Sequence, residues 1–309
     1  MNTEYQDTAL SIFDFLKAIK DNFKFIFVIT SLGFILTASY SLLVQEIYTS
    51  TALLQANINQ KGGANTRNNS LTGIAEMAGI GPGSTGVTPE HLAYQKLKSK
   101  EFFEILYNDD RFIANIFAYK TYQKKNNNDI YSSSYDDESS KWLVPKPIFQ
   151  EAYHYFHQDY LTVIDNVRKG TTEIRISHPS PVLAAKLLQQ VISEVNKFAT
   201  LDDKAEAKRS LDYLKDQSSK TILVEVKKVL ASLIQTEVQT LMMTEVSNEY
   251  LYKVIDKPYE PFYRSYPKKS QMVVIGTISS TFIAIVFSLY AFINRKTPLE
   301  IVKKIISKG

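Results

Sequence analysis

Two long apolar runs without a charged residue lie near the two ends of the 309-residue chain. The first is Phe25–Val44, with 20 residues, and the second is Ser270–Ile293, with 24 residues. A helix of about 20 apolar residues is long enough to cross a hydrocarbon core of about 30 Å. Each run therefore predicts a transmembrane helix, with a buried core helix as the alternative. The first run is too long for the apolar part of a signal peptide and lacks a convincing cleavage site, so we expect it to be retained.

Basic residues flank both runs on the sides that face the chain ends. They are Lys17, Lys20 and Lys24 before the first run, and Arg295, Lys296, Lys303, Lys304 and Lys308 after the second. Short flanks rich in Lys and Arg stay in the cytoplasm, which predicts cytoplasmic termini and a large domain on the far side of the membrane. The predicted segments are a cytoplasmic segment 1–24, a transmembrane helix 25–44, an outer domain 45–269, a transmembrane helix 270–293 and a cytoplasmic tail 294–309.

Small residues recur every four positions in both apolar runs. The first run carries Gly33, Thr37 and Ser41, and the second carries Gly276, Ser280, Ala284 and Ser288. Small residues at this spacing let two helix backbones approach closely in lipid, where apolar area alone gives no driving force for association. The spacing predicts packing of the two helices, within one subunit or between subunits. Chance is the alternative, because such residues are frequent in membrane helices.

The composition argues against several classes of function. The net charge of +4 is small for a nucleic-acid-binding protein, and the absence of cysteine excludes disulfides and thiolate sites. The four histidines are His91, His154, His157 and His178. Only His154 and His157 are spaced to share a ligand, and without a third ligand nearby we expect surface histidines. The acidic clusters Asp109-Asp110, Asp136-Asp137-Glu138 and Asp202-Asp203 are expected to be structural or solvated, so no catalytic, cofactor or metal site is predicted.

The outer domain reads as a mixture of helices and strands. The expected elements are a strand 47–57, a Gly-rich loop 60–89, helices 89–107 and 111–120, a solvated loop 124–140, a helix 148–157, a hairpin 161–167 with 171–178, a long helix 181–246 and a strand 250–256. The last strand is expected to pair with the first near the bilayer. The predicted fold class is therefore α+β, with a membrane-proximal mixed sheet and a very long protruding helix.

The long helix is the most unusual of these elements, because neither Pro nor Gly occurs from 182 to 256. Some 60 helical residues would extend for about 90–100 Å. Its apolar stripe continues through Ile222, Val226, Val229 and Leu233, and such a stripe needs lateral partners. A break near Gln217–Lys220, which would give two helices, is the alternative.

A proline-rich segment leads into the second apolar run. It contains Lys257, Pro258, Pro261, Pro267, Lys268 and Lys269. Prolines so closely spaced cannot continue a helix or a sheet and favour a stiff, extended connector. Tyr263 and Tyr266 suit the interface between membrane and water, and the lysines can contact lipid headgroups.

Four strings in the sequence resemble the polysaccharide co-polymerases, the Wzz family of O-antigen chain-length determinants. The strings are Tyr48–Ala52 after the first run, Leu71–Ile80 in the Gly-rich loop, His178–Asn196 before the long charged helix, and Val254–Lys269 before the second run. The short tail without a Walker motif resembles the class that lacks a fused tyrosine kinase.

The resemblance implies a regulator of lipopolysaccharide biosynthesis that is not an enzyme and needs no cofactor. Such proteins form homo-oligomers in the bacterial inner membrane, protrude into the periplasm, and set the length of a polysaccharide made by the Wzy polymerase. The implied partners are a second copy of the chain, the polymerase, membrane lipid and the undecaprenyl-linked glycan. A two-span periplasmic sensor or adaptor, a polysaccharide export component and an anchored hydrolase or transferase are the alternatives.

Overall fold

The computed structural model describes residues 18–57, 89–123, 128–166 and 170–293. The predicted loop at 60–89, with the Leu71–Ile80 string, lies outside these residues except for Pro89, and so do Lys17 and the basic residues after 293. The chain forms two compact units. One unit contains both ends of the chain, through Glu46 and from Ser265, and the other is Ile47–Arg264.

The elements of the two units follow one another along the chain. They are α1 (Phe23–Leu43), β1 (Tyr48–Ala56), α2 (Pro89–Lys98), α3 (Lys100–Asn108), α4 (Asp110–Phe117), β2 (Tyr119–Gln123), β3 (Asn128–Tyr131), β4 (Tyr135–Asp136), β5 (Lys141–Trp142), α5 (Phe149–Tyr155, continued by a π-helical turn Phe156–Tyr160), β6 (Leu161–Asn166), β7 (Thr171–His178), α6 (Pro181–Lys220), α7 (Val224–Val246), β8 (Tyr252–Asp256) and α8 (Lys269–Ile293). The α+β class is confirmed.

The central sheet has the strand order β6-β7-β1-β8. The predicted hairpin of β6 and β7 is confirmed, and Gly170 takes a positive φ of 61° at its turn. The predicted pairing of the first and last strands is also confirmed, with Leu54 opposite Val254. All three pairings are antiparallel, so the expectation of a mixed sheet is wrong in this respect. The described sheet therefore has no parallel pair, which would need a crossover connection between its two strands.

One face of this sheet forms the core of the second unit. Alternate residues of β7 point inward, among them Ile174 and Ile176, and β1 contributes Ala52 and Leu54. The first half of α6 covers them with a stripe at helical spacing: Leu183, Leu187, Leu188, Val191 and Val195. Pro181 at the first turn and the Ser180 hydroxyl, which accepts from Leu183 N, fix where α6 begins.

An aromatic cluster fills the space under α3, α4 and α5. Phe103 is fully buried, and its ring centroid lies 5.5 Å from that of Phe156 and 5.4 Å from that of Tyr153. Each fully buried aromatic side chain stabilises the fold by about 1.5–3 kcal/mol. The predicted helix 89–107 is divided here, because the Ser99 side chain caps a new helix by accepting from Phe102 N.

A long helix is confirmed, but it ends at Lys220 rather than continuing to 246. Thr221 and Leu223 are extended, and α7 begins at Val224. The break thus occupies residues 221–223, directly after the stretch Gln217–Lys220 considered in the sequence as the alternative position. α6 and α7 pack against each other as an antiparallel hairpin, and Lys204 forms an ion pair with Glu245 across it. At about 1.5 Å per residue the two helices are about 60 and 35 Å long.

The described part of the region expected to be a solvated loop at 124–140 contains the strands β3 and β4, and each forms a small hairpin with a strand just outside the region. β2 pairs with β3, and β4 pairs with β5, with Tyr135 opposite Trp142. Tyr135 is buried and its ring packs on Trp142, with centroids 5.5 Å apart. Packing of these aromatic side chains therefore stabilises strands in a stretch whose polar composition predicted a loop.

Candidate functional site

The two apolar helices α1 and α8 have the length and composition of membrane spans. Their mean hydropathies are 1.9 and 2.2, and only 11% of the most apolar window of each helix is buried. A core helix would instead be buried for most of its length. Large apolar side chains such as Phe27 and Phe282 point outward and are more than half exposed. This exposure disfavours the core-helix alternative.

Two glycines bring α1 and α8 into close contact. A Cβ atom added to Gly33 would lie 2.4 Å from the Cβ of Ser280, and one added to Gly276 would lie 2.2 Å from Cγ2 of Thr37. Ordinary contacts of a Cβ begin at about 3.4 Å. Four of the seven residues selected from the sequence thus contact each other across the pair.

The other three selected residues in these helices are also shielded. Ser41, Ala284 and Ser288 are at most 2% exposed. The Ser288 hydroxyl donates to the carbonyl oxygen of Ala18 over 3.1 Å. The small-residue stripe is therefore the inner face of the pair.

Three contacts between these helices or at their ends were not predicted from the sequence. The hydroxyl oxygens of Thr30 and Thr281 are 3.2 Å apart, and Phe25 stacks on Phe287 with centroids at 5.8 Å. The third is an ion pair in which Lys269 Nζ lies 3.1 Å from Glu46 Oε1. Both of its side chains are about three-quarters buried. The signal for Thr30 was its position three residues before Gly33, on the same helix face.

The proline-rich segment begins on the second unit. Pro261 is buried, whereas Lys257 is exposed and Pro258 is half-buried. The Ser50 hydroxyl of β1 donates to the carbonyl oxygen of Tyr259 over 2.8 Å and so fastens the connector to the sheet. Ser50 was missed because a serine in a strand carries no sign of a partner about 200 residues away.

The remainder of the segment belongs to the unit that contains α1 and α8. Pro267 is buried and follows a cis peptide bond, Lys268 is exposed, and Lys269 is the first residue of α8.

A polar groove of about 820 Å³ lies between α4, the first half of α6 and β3. Asp109, Arg111, Asp129, Tyr131 and Lys186 are among the residues that line it. Asp109 caps α4 by accepting from Arg111 N and Phe112 N, and its other oxygen accepts from Gln190 Nε2 over 2.7 Å. Burial raises the pKa of Asp129.

Those contacts in the groove give Asp109 a structural role. Arg111 pairs with Asp137 over 3.4 Å, and the Tyr131 hydroxyl donates to Asn115 Oδ1 over 2.6 Å. The groove is thus lined by carboxylates, amides, hydroxyls and cations that already contact one another. The expectation of a structural role is met for Asp109, and for Asp110, which pairs with Lys146.

Asp203 is buried, so of the two roles expected for the acidic clusters, structural or solvated, it has the structural one. Lys96 Nζ lies 2.7 Å from Asp203 and 2.8 Å from Asp202, and the Tyr250 hydroxyl donates to Asp203 over 2.8 Å. Burial alone would lower the pKa of Lys96, but the hydrogen bonds and charges of the two carboxylates outweigh it and raise this pKa. The cluster joins α2, α6 and the segment before β8, and its role is structural.

His178 is fully buried, so the expectation of a surface histidine is wrong here. Ser180 N donates to its Nδ1 over 2.9 Å, and its Nε2 therefore carries the proton and donates to the Asn115 carbonyl oxygen over 2.9 Å. Burial lowers the pKa of His178 to about 4. His157 is half-buried, and burial lowers its pKa as well. Among the described residues, no group of acidic or histidine side chains could hold a metal ion.

Comparisons with known proteins give one family. Residues 8–109 match the model of the Wzz family, described as chain length determinant protein, which confirms the resemblance over that part of the chain. No curated protein sequence matches the chain.

Two solved structures are similar to the chain. A full-length bacterial polysaccharide co-polymerase has 14% identity, covers 92% of this chain and 98% of its own, and gives a TM-score of 0.43. A fragment of WzzB, the polysaccharide co-polymerase from Salmonella Typhimurium, has 16% identity, covers 72% of this chain and 100% of its own, and gives a TM-score of 0.30.

Proposed function

We propose that the chain is a regulator of polysaccharide chain length, of the O-antigen or lipopolysaccharide type, and not an enzyme. The observation that carries the proposal is the match of residues 8–109 to the Wzz chain length determinant. The matched range includes α1, β1 and the described helices up to the end of α3. The pair of apolar helices α1 and α8 supports the proposal, because it gives the chain the anchors that such a regulator needs.

The proposed location is the bacterial inner membrane, with both termini in the cytoplasm and the unit Ile47–Arg264 in the periplasm. The basic residues beyond each apolar run support this orientation, because such flanks are retained in the cytoplasm. The close contacts at Gly33 and Gly276 support packing of the two spans within one subunit. The spans would then be a single anchor rather than two independent ones.

The proposed working form is a homo-oligomer that acts together with a Wzy-type polymerase on undecaprenyl-linked glycan. The apolar stripe of α7 supports self-assembly. On α7 itself Val226 is 40% exposed, Val229 39% and Leu233 47%, and Ile222 in the break directly before α7 is 91% exposed. The three residues of α7 recur at the spacing of one helix face, and an exposed apolar face of this kind marks an interaction surface.

The experiment is deletion of the gene, followed by separation of the surface polysaccharide on a gel. We expect the cluster of preferred lengths to disappear and to return with a plasmid copy of the chain. A matched plasmid carrying only residues 1–46 and 265–309 retains the anchors and should restore nothing. An unchanged ladder after deletion would overturn the proposal and favour a sensor, an adaptor or an export component.

A further inference from the structure

Two neighbouring aromatic side chains in the connector between β8 and α8 project into solvent. Phe262 is 87% exposed and Tyr263 is 81% exposed, and their rings form an edge-on pair with centroids 5.0 Å apart. Single exposed apolar residues are common, but an adjacent pair this exposed next to a membrane span is not explained by the fold of the second unit. We propose that Phe262 and Tyr263 dock in the headgroup region of the bilayer that α8 enters.

The covalent chain keeps this pair close to the membrane. Phe262 precedes Lys269, the first residue of α8, by seven positions. A fully extended chain covers about 3.3–3.6 Å per residue, so the pair lies within about 25 Å of the start of the span. The lipid surface is therefore within reach of both rings. This step rests on the membrane topology in the proposed function and is independent of the control of polysaccharide length.

The chemistry of the segment fits a lipid interface. Aromatic rings, those of Tyr in particular, concentrate where hydrocarbon meets water, because an apolar body and a polar tip are both accommodated there. Lys257 and Lys268 are exposed on either side of the pair, with Glu260 as the exposed acidic residue between them. Basic residues at this level are attracted to anionic headgroups.

The residues of the connector directly before Phe262 are held in place by the second unit. The Ser50 hydroxyl binds the Tyr259 carbonyl oxygen, and Pro261 is buried directly before Phe262. Proline fixes its own φ, so little freedom is left to lose when the two rings enter the interface.

The test uses the full chain in vesicles of phosphatidylethanolamine and phosphatidylglycerol, in separate samples that are plain, brominated on the acyl chains near the headgroup, or brominated deeper on the acyl chains for the control within the span. The variant is Phe262→Trp, and the wild-type chain gives the signal of Trp142, the one native tryptophan, for subtraction. Phe282→Trp, on the outward face of α8, is the membrane control, and Tyr213→Trp, 64% exposed on α6, is the solvent control.

We expect brominated lipid to quench the added fluorescence of Phe262→Trp by roughly twofold or more, while aqueous iodide has little effect, as for a ring at the interface. Quenching by iodide alone, as expected for Tyr213→Trp, would overturn the docking. Protection from both quenchers would also overturn it and show that a protein covers the pair. If Phe282→Trp is not quenched by brominated lipid, the two-span topology fails and the docking fails with it.

Discussion

A cysteine pair placed between α1 and α8 tests how the two apolar helices pack. The hydroxyl oxygens of Thr30 and Thr281 are 3.2 Å apart, and the chain contains no cysteine of its own. In the variant Thr30→Cys/Thr281→Cys the two sulfurs would need to approach by only about 1 Å to reach a disulfide length of about 2.05 Å. We therefore expect mild oxidation to form a cross-link within one chain.

A bulky residue at Gly33 should weaken this cross-link. A Cβ at this position would lie 2.4 Å from Ser280 Cβ, so the helices would separate by about 1 Å to reach an ordinary contact of 3.4 Å. Overpacking of this kind costs about 1–3 kcal/mol, which corresponds to about a 5- to 150-fold shift toward separated helices. Gly33→Leu added to the cysteine pair should lower the rate of cross-linking by a factor in this range.

The assay is a non-reducing gel of membranes oxidised for increasing times. A cross-link within one chain changes the mobility of the monomer, whereas a cross-link between chains gives a dimer. Ile35→Phe is the matched control, because Ile35 lies on the same helix and is 58% exposed. Dimers in place of the shifted monomer, or an equal loss of cross-linking in the control, would refute packing of the spans within one subunit.

Four further perturbations test other parts of the structure. Asn196→Leu removes the acceptor of the buried Leu251 and Tyr252 amides, which should cost about 2–6 kcal/mol in unfolding free energy, while Lys197→Ala, at an exposed neighbour, should cost little. His178 has a folded pKa of about 4, below its unfolded value of about 6.5, so stability is full above pH 6.5 and should fall by about 3 kcal/mol as pH drops to 4; His178→Gln should flatten that slope in a pH series of thermal melts. Val226→Asp/Val229→Asp should lower the mass of the detergent-solubilised oligomer, and Lys228→Asp, on an exposed part of the same helix, should not; equal masses would remove the stripe from the interface. Pro261→Ala/Pro267→Ala should change the preferred polysaccharide length with membrane insertion intact, and an unchanged length would make the segment a simple linker.

The strands were predictable because their sequences carry their own pattern. In β7 the residues Ile174 and Ile176 alternate with polar ones, and the alternation matches the burial of the strand. Strand β8 could be matched to β1 because both contain β-branched and aromatic residues and each is the strand nearest in sequence to an apolar run. The antiparallel sense of every pairing was not predictable in the same way, since it depends on how the helices between the strands return the chain.

The break between α6 and α7 could be considered from the sequence only as an alternative to one continuous helix. Residues 221–223 contain no Gly or Pro, so local propensity gives no stop signal there. The reversal is stabilised instead by packing of the two helices and by contacts such as Lys204 with Glu245. Such contacts join residues about 40 positions apart and leave no mark on a helical pattern.

The buried polar residues were missed for a related reason. Asn196 accepts from two backbone amides and donates to the Tyr252 carbonyl oxygen, which holds β8 against α6. Asp203 and His178 are likewise satisfied by partners distant in sequence. Polar residue types are usually exposed, and only a complete set of partners makes their burial favourable. The small residues of α1 and α8, by contrast, were selected from their spacing alone, and the structure places Gly33 against Ser280 and Gly276 against Thr37.

We propose that this chain sets the length of a polysaccharide without making bonds itself. The most direct measurement is polymerisation by a purified Wzy-type polymerase and lipid-linked repeat units in vesicles, with and without the full chain. We expect that the chain alone makes no polymer, and that adding it to the polymerase converts a smoothly decaying ladder into a cluster of preferred lengths. A ladder that is the same with and without the chain, or polymer formed by the chain alone, would contradict the proposed function.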